Sequence, residues 1–359
     1  MQARYDNQEE MIKSSFYQHS LSDLQTLFAA HDLAPSGPGL LFNWHYKKRK
    51  SDPCLVDLAK KSIDFVQKNL SFELPQIDHI QESSDKTVKF LFRLDDELKI
   101  ETVLIPFHGK YTICLSSQVG CAMKCSFCHT GLQGLSRQLR TDEIIGQFVQ
   151  AQNWLTQNRP GDDKILNIVF MGQGEPLHNF DAVKKSCEIF LSQHGLSLAD
   201  HKITISTAGY LPGLERWKEE MPKVNIALSL HSPIKEKRDQ LIPINKRYPL
   251  EDVLTFVQAI PEGKNRFVTY EYLLIEDFND SDEDAHLTGK LLLDKKAYVS
   301  LIPFNPFPGS EYKKPTLEKV TRFKVILDSY KIPTLIRATK GDEILAACGQ
   351  LNSKILKTQ

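Results

Sequence analysis

The sequence predicts an α/β protein: a partial barrel of six β/α units, preceded by a small, mostly helical N-terminal accessory domain. Three observations predict it. From about residue 110 onward, apolar β-branched runs alternate with helical stretches, the arrangement that produces a parallel sheet. Six such runs occur. The chemically distinctive residues fall at or just after the ends of most of them, which is where an α/β barrel assembles its site. An open sheet would gather its site near one switch point instead.

Residues 1–100 make the accessory domain. Helices are expected at Ser22–His31 and Leu55–Asn69, and a strand at Thr87–Leu94. Between the helices, Ser36-Gly-Pro-Gly39 is a loop signal. Trp44-His-Tyr-Lys-Lys-Arg-Lys50 follows, and residues 41–61 hold six basic against two acidic residues. That stretch reads either as a solvated helix end or as a phosphate-contacting patch with interleaved aromatics. The barrel occupies residues 101–340. Its expected strands are Thr112–Leu115, Ile165–Phe170, Ile203–Ser206, Val224–Leu230, Phe267–Leu274 and Tyr298–Ile302. One helix starts at Thr141-Asp-Glu, with Ile144, Ile145, Phe148 and Val149 on a single face. Others are expected at Asp181–Gln193, Leu250–Ile260, Asp282–Leu293 and Leu317–Tyr330. Residues 341–359 form a C-terminal tail, and the turn Lys340-Gly-Asp-Glu343 directs it toward the barrel mouth.

Composition narrows the class of protein. Lys plus Arg and Asp plus Glu both number 45 in 359 residues, so any nucleic-acid-binding surface must be a local patch. No run approaches the roughly 18 apolar residues of a membrane span. Met1-Gln-Ala-Arg-Tyr-Asp lacks the apolar core of a signal peptide. The expected location is the cytoplasm, where the seven cysteines do not form a disulfide framework.

Three of those cysteines crowd into Gly120-Cys121-Ala-Met-Lys-Cys125-Ser-Phe-Cys128-His-Thr-Gly131. A short loop with this spacing can wrap three corners of an iron–sulfur cubane. A ferredoxin-type cluster takes a fourth protein cysteine, and none follows at such a spacing. One iron would then stay open to a substrate. The alternative is a structural zinc, with His129 or a distant cysteine as fourth ligand. Zinc ligands usually come as paired dyads roughly 12 to 20 residues apart. One triad without a second dyad favours the cluster.

With Phe127 before its last cysteine, the triad resembles the signature of the radical S-adenosyl-L-methionine (SAM) superfamily. The resemblance implies a 4Fe–4S cluster on Cys121, Cys125 and Cys128, an open iron that chelates SAM, and reductive cleavage to a 5′-deoxyadenosyl radical. It also implies a six-stranded partial barrel. Gly172-Gln-Gly174-Glu175-Pro resembles the superfamily's Gly-Glu segment, which takes the SAM amino group.

Further runs carry a narrower resemblance across residues 100–351. They are Cys114-Leu-Ser-Ser-Gln-Val-Gly-Cys121, Ser206-Thr-Ala-Gly, Leu228-Ser-Leu-His-Ser-Pro, Ile242-Pro-Ile-Asn-Lys-Arg-Tyr, Leu301-Ile-Pro-Phe-Asn-Pro-Phe-Pro-Gly and Ala346-Ala-Cys348-Gly-Gln-Leu. They are similar to the dual-specificity methyltransferases that methylate carbon-2 of adenosine in 23S ribosomal RNA and/or tRNA. Carbon-2 lies between two ring nitrogens and is too electron-poor to attack a sulfonium methyl, so the family works covalently. The resemblance implies that Cys348 takes a methyl from one SAM and adds its carbon to the ring after a second SAM supplies the radical. Cys114 then resolves the protein–RNA adduct by forming a disulfide with Cys348. It further implies Glu101 as proton acceptor, with Gly174, Glu175, Ser206, Ser229, Leu230, His231 and Asn305 binding SAM.

An electron donor such as flavodoxin and a monomeric state are implied as well. Lys47–Lys50, Arg137 and Arg140 are candidate phosphate contacts, and Cys54 and Cys187 match no functional position. Gln173 departs from the family, which commonly has methionine there. The rival readings are a carbon-8 adenosine methyltransferase of the antibiotic-resistance type and a non-catalytic iron–sulfur RNA-binding protein.

Overall fold

A computed structural model describes residues 13–50, 52, 56–161, 164–221, 223–259 and 268–353. Cys54, the N-terminus read for a signal peptide, and residues 354–359 of the tail lie outside the described residues. The chain opens on a short strand, β1 (Ser14–Ser15), and helix α1 (Leu21–Ala30). Ser20 caps α1. Its hydroxyl accepts from the Asp23 amide at 3.1 Å, and the Asp23 carboxylate accepts from the Ser20 amide at 3.0 Å.

Helix α2 (Gly37–Phe42) begins where Ser36-Gly-Pro-Gly39 had suggested a loop. Proline suits a first helical turn, where its missing N–H has no partner to lose, and burial of Leu41 and Phe42 draws the segment inward. A Cβ on Gly37 would stand 2.3 Å from the Phe28 ring, so glycine permits this close packing of α2 on α1. A π-helical turn, Asn43–Lys47, continues α2. Helix α3 (Lys60–Asn69) then leads into β2 (Leu70–Ser71), which pairs with β1. His45 and Tyr46 are buried among Phe16, Phe42 and Phe72. Those two aromatics of the basic stretch are therefore core rather than a stacking surface for bases.

Strands β3 (Gln76–Glu82), β4 (Val88–Arg93), β5 (Lys99–Phe107) and β6 (Lys110–Cys114) form an antiparallel meander. A separate ribbon, β7 (Gln118–Gly120) with β8 (Leu135–Gln138), brackets the cysteine loop and the short helix α4 (His129–Leu132). The alternating units follow: α5 (Thr141–Asn158), β9 (Ile165–Phe170), α6 (Phe180–Leu191), β10 (Ile203–Thr207), α7 (Leu211–Glu220) and β11 (Asn225–Ser229). After them come α8 (Lys235–Leu241), α9 (Leu250–Gln258), β12 (Val268–Leu274), α10 (Asp282–Leu292), β13 (Ala297–Pro303), α11 (Leu317–Ser329) and β14 (Thr334–Ile336).

One sheet of ten strands results, in the order β14-β13-β12-β11-β10-β9-β6-β5-β4-β3. The six expected parallel strands are β6 and β9 to β13, and β14 adds a seventh at the edge. The sheet begins before residue 100, because β3 and β4 join it from within the accessory region. Ile105 and Cys114 on one side and Ile336 and Arg337 on the other line a common cavity. Strands so far apart in the order can meet only if the sheet curls, which makes it a partial barrel. Cys187 lies wholly inside the core on α6. No described helix is long and apolar enough to cross a membrane.

Candidate active site

The cysteine loop is shaped by glycines. Gly120 has φ 77°, and a Cβ there would sit 1.8 Å from the Gly134 carbonyl oxygen. A Cβ on Gly131 would sit 2.9 Å from the Cys125 oxygen and 3.0 Å from its nitrogen. Main-chain bonds from Cys121 N to Gly134 O (2.9 Å), Cys128 N to Cys125 O (3.2 Å) and Ser126 N to Leu241 O (3.1 Å) fix the loop. Cys121, Cys125 and Cys128 all line one cavity, which encloses about 840 Å³ including its open side. That is the size class of small-molecule sites. Burial pushes all three thiols up, Cys121 to about 12. The donor set fits a cluster, with three thiols around one cavity and an open side facing the strand ends. Among the described residues, no group of three or more His, Cys, Asp or Glu is arranged to hold a metal ion. His129, the possible zinc ligand, instead stacks on Phe307, and its Nε2 meets the side-chain Nδ2 of Asn352 at 2.8 Å.

Gly174, Glu175, Ser206, Ser229 and His231 line the same cavity. Gly174 has φ 105°, and a Cβ would strike Gln118 at 2.6 Å, so only glycine fits. The buried Glu175 carboxylate accepts from the Leu177 amide (3.1 Å) and the Ala208 amide (2.8 Å). Burial raises its pKa to about 7 despite those bonds. His231 sits at φ 57°. Its Nδ1 accepts from the Leu273 amide at 3.1 Å, which leaves the ring proton on Nε2. Burial, helped by the Arg238 charge, holds its pKa near 3, so the ring is neutral. Leu230 is fully buried and does not line the cavity, and its carbonyl accepts from Arg238 at 2.6 Å.

A second cavity adjoins the first, and Cys128, Cys348, Thr130 and Ile302 border both. Cys114 and Asn305 line the second. Asn305 is therefore placed against the tail: it donates to the Cys348 carbonyl at 3.3 Å and accepts from Thr339 at 3.1 Å. The structure brings Cys114 and Cys348 together although they lie 234 positions apart in the sequence. Both thiols are free. Burial raises Cys114 to about 12, and the neighbouring Cys348 adds to the rise. Glu101 is buried; Lys89 pairs with one carboxylate oxygen at 3.0 Å, and the Asn352 amide donates to the other at 2.5 Å.

Three functional positions escaped the sequence reading. Arg238, fully buried on α8, donates to the carbonyls of Ala208, Ser229 and Leu230, tying the ends of β10 and β11 together. Glu271 on β12 accepts from Ser206 at 2.8 Å and from Arg337 at 2.9 Å, linking the two cavities. Arg337 faces Cys348, whose charge above all raises the guanidinium pKa. None of the three sits in a distinctive motif, and an arginine on an amphipathic helix looks solvent-facing. Conversely, Arg137 is paired with Asp96 (2.6 Å) and Glu143 (2.8 Å), and Arg140 with Asp95 (2.9 Å) and Asp142 (3.1 Å). These two candidates for phosphate contact already have carboxylate partners.

Residues 115–288 match the family model of the radical SAM superfamily. A protein of Aquifex aeolicus (strain VF5) named "Probable dual-specificity RNA methyltransferase RlmN" is 40% identical, covering 95% of this chain and 98% of its own. The dual-specificity RNA methyltransferase RlmN of Alkalilimnicola ehrlichii is also 40% identical, over 92% of each chain. Among solved structures, a radical SAM methyltransferase from Sphaerobacter thermophilus superposes with a TM-score of 0.87 at 34% identity. That match covers 95% of this chain and 99% of the other.

Proposed function

Because the chain belongs to the dual-specificity RNA methyltransferases of the radical SAM superfamily, we propose that it methylates carbon-2 of adenosine in 23S ribosomal RNA and/or tRNA through Cys348. One observation carries the covalent route: two free thiols from opposite ends of the barrel share a cavity that opens onto the cysteine-loop cavity.

Cys121, Cys125 and Cys128 would hold a 4Fe–4S cluster, and Gly174, Glu175, Ser206, Ser229 and His231 would surround SAM. Together the bound groups supply a transferable methyl and, once reduced, a hydrogen-abstracting carbon radical. The protein does the rest. The Glu175 carboxylate, held by two amides in a buried setting, offers an anion to the SAM ammonium. Neutral His231 adds no positive charge against the sulfonium. Cys348 borders both cavities, so its thiolate can take a methyl from one and present it to a base in the other. Glu101 takes the proton lost from the ring carbon, and Lys89 steadies its charge. The Cys114 thiolate attacks the Cys348 sulfur, forming a disulfide as the bond from that sulfur to the methylene carbon breaks; the carbon takes up a proton, which releases the methylated RNA, and an external reductant restores the two thiols.

We assign Leu230 and Asn305 supporting places, against Arg238 and against the tail. Residues 1–100 serve RNA contact and residues 341–359 act as the carrier tail. A flavodoxin-like electron donor, a monomeric state and a cytoplasmic setting complete the proposal. Extruding an adenosine costs a few kcal/mol. Of the candidates in the basic stretch for offsetting it, the exposed Lys48 and Lys50 remain, while Lys47 donates to the Gln193 carbonyl and Arg49 to the Thr156 hydroxyl.

Nucleoside mass spectrometry tests the reading on ribosomal RNA and tRNA from cells with and without this gene. Signal at 2-methyladenosine that depends on Cys348 is the expected result. Signal only at 8-methyladenosine would move the protein to the resistance type, and none from cluster-loaded protein would refute the substrate assignment.

A further inference from the structure

The chain's departure at Gln173 lies at the junction of Glu101 and the tail. Strand β6 stops pairing with β5 at Cys114 opposite Val103. Beyond that point Glu101 turns its amide and carbonyl toward a strand that has ended. Side chains fill the vacancy: the Glu101 amide donates to Gln173 Oε1 at 3.0 Å, and the Ser116 hydroxyl donates to the Glu101 carbonyl at 2.6 Å. Gln173 is fully buried, and its own main chain is fixed on both sides. Its amide donates to Ser116 Oγ at 2.9 Å, and its carbonyl accepts from Ser117 and Gln118 at 2.8 and 3.1 Å. The remaining side-chain nitrogen, Nε2, donates to Ser353 Oγ of the tail at 3.3 Å. The adjacent Asn352 amide is the group that donates to the Glu101 carboxylate.

A methionine could fill the same volume but could not accept strongly from the Glu101 amide or donate to Ser353. A buried donor left without a partner is costly. In this chain one side chain therefore joins the strand that carries Glu101 to the segment that carries Cys348.

We propose that Gln173 is a positioning residue that clamps the C-terminal tail onto the Glu101 strand and so seats Cys348 beside Cys114. The functional meaning rests on the reading of Cys348 as methyl carrier. The clamp itself does not. Of the two bonds the Gln173 side chain makes, only Nε2–Ser353 reaches the tail directly, so its loss should loosen the end of the tail without touching either cavity.

The test uses the full-length, cluster-loaded protein and two substitutions, Gln173→Met and Ser353→Ala. Hydrogen exchange at residues 349–353 and iodoacetamide alkylation of Cys348, both followed by mass spectrometry, read the seat of the tail. Each variant should speed both processes about fivefold, the factor equivalent to ~1 kcal/mol for one hydrogen bond. The double variant should be no faster than Gln173→Met alone, since the bond that Ser353→Ala removes is already broken by Gln173→Met. In steady state, kcat should fall while KM for RNA holds. Unchanged exchange and alkylation in Ser353→Ala would overturn the clamp, even if Gln173→Met proved too unstable to purify. Faster alkylation combined with methylation that survives Cys348→Ala would keep the clamp and refute the carrier reading.

Discussion

The cysteine loop and the C-terminal tail bring cysteines to the same place by opposite means. The loop is held locally, by glycines whose missing Cβ atoms let main chain approach main chain, and its three thiols lie within eight residues. The tail is held at long range. Thr130 donates to the Leu351 carbonyl, Gln350 to the Pro306 carbonyl, Asn305 to the Cys348 carbonyl, and Asn352 to Glu101. Steric shaping of the first kind tolerates no change. Single hydrogen bonds, each worth about 1 kcal/mol net, make a seat that can open and close. A ligand loop for a cluster benefits from rigidity, whereas a segment that shuttles a methyl between two cavities must be able to move.

The sharpest separation of the two regions is chemical. Cys121→Ala should lose the cluster's visible absorbance and all methylation. Cys348→Ala should keep the absorbance and SAM cleavage yet yield no methylated adenosine. Cys114→Ala should retain both and accumulate a protein–RNA adduct on denaturing gels. If Cys348→Ala also lost the cluster, the division into ligand loop and carrier tail would collapse.

Gly131→Ala probes the steric half. The new methyl meets Cys125 main chain on two sides, and overpacking of this kind costs about 2 kcal/mol. Reduced iron content per chain, with tail exchange unaltered, is the expected outcome.

His231 predicts a pH dependence for the barrel side. Its pKa is depressed from about 6.5 when unfolded to about 3 in the folded protein. The unfolded chain binds the extra proton first, so this contribution is complete above pH 6.5 and is lost as pH falls toward 3. Urea midpoints should drop across that window, and His231→Gln should flatten the slope.

The smallest effect falls on the tail. Gln350 bonds Pro306 and Asp342 outside the cysteine cavities. Gln350→Leu should quicken exchange at residues 345–353 roughly five- to tenfold, with iron content and melting temperature nearly unchanged. A large loss of iron would mean that loop and tail are one cooperative unit.

Much of the barrel was legible because its signals are local. The six parallel strands announced themselves as β-branched runs, and the start of α5 at Thr141 was readable from its acidic first turn. Where local rules misled, burial decided. Ser36-Gly-Pro-Gly39 carries loop residues, yet Leu41 and Phe42 pull it into a helix. Trp44-His-Tyr reads as a basic aromatic patch, yet His45 and Tyr46 pack inward. Helices α7 and α8 passed unnoticed because they are short and rich in charge, and the one buried charge on α8, Arg238, gives no sign in its spacing.

The sequence by itself determined the cysteine triad and the six alternating parallel strands, because each depends on neighbours along the chain. Only the tertiary structure decided which of those residues meet. Cys114 reaches Cys348 because the sheet curls, the Glu101 main chain reaches Gln173 because β6 ends early, and Glu271 reaches Arg337 because β12 lies two strands from β14. Contacts of this kind depend on how the sheet closes, and no periodicity or spacing encodes that.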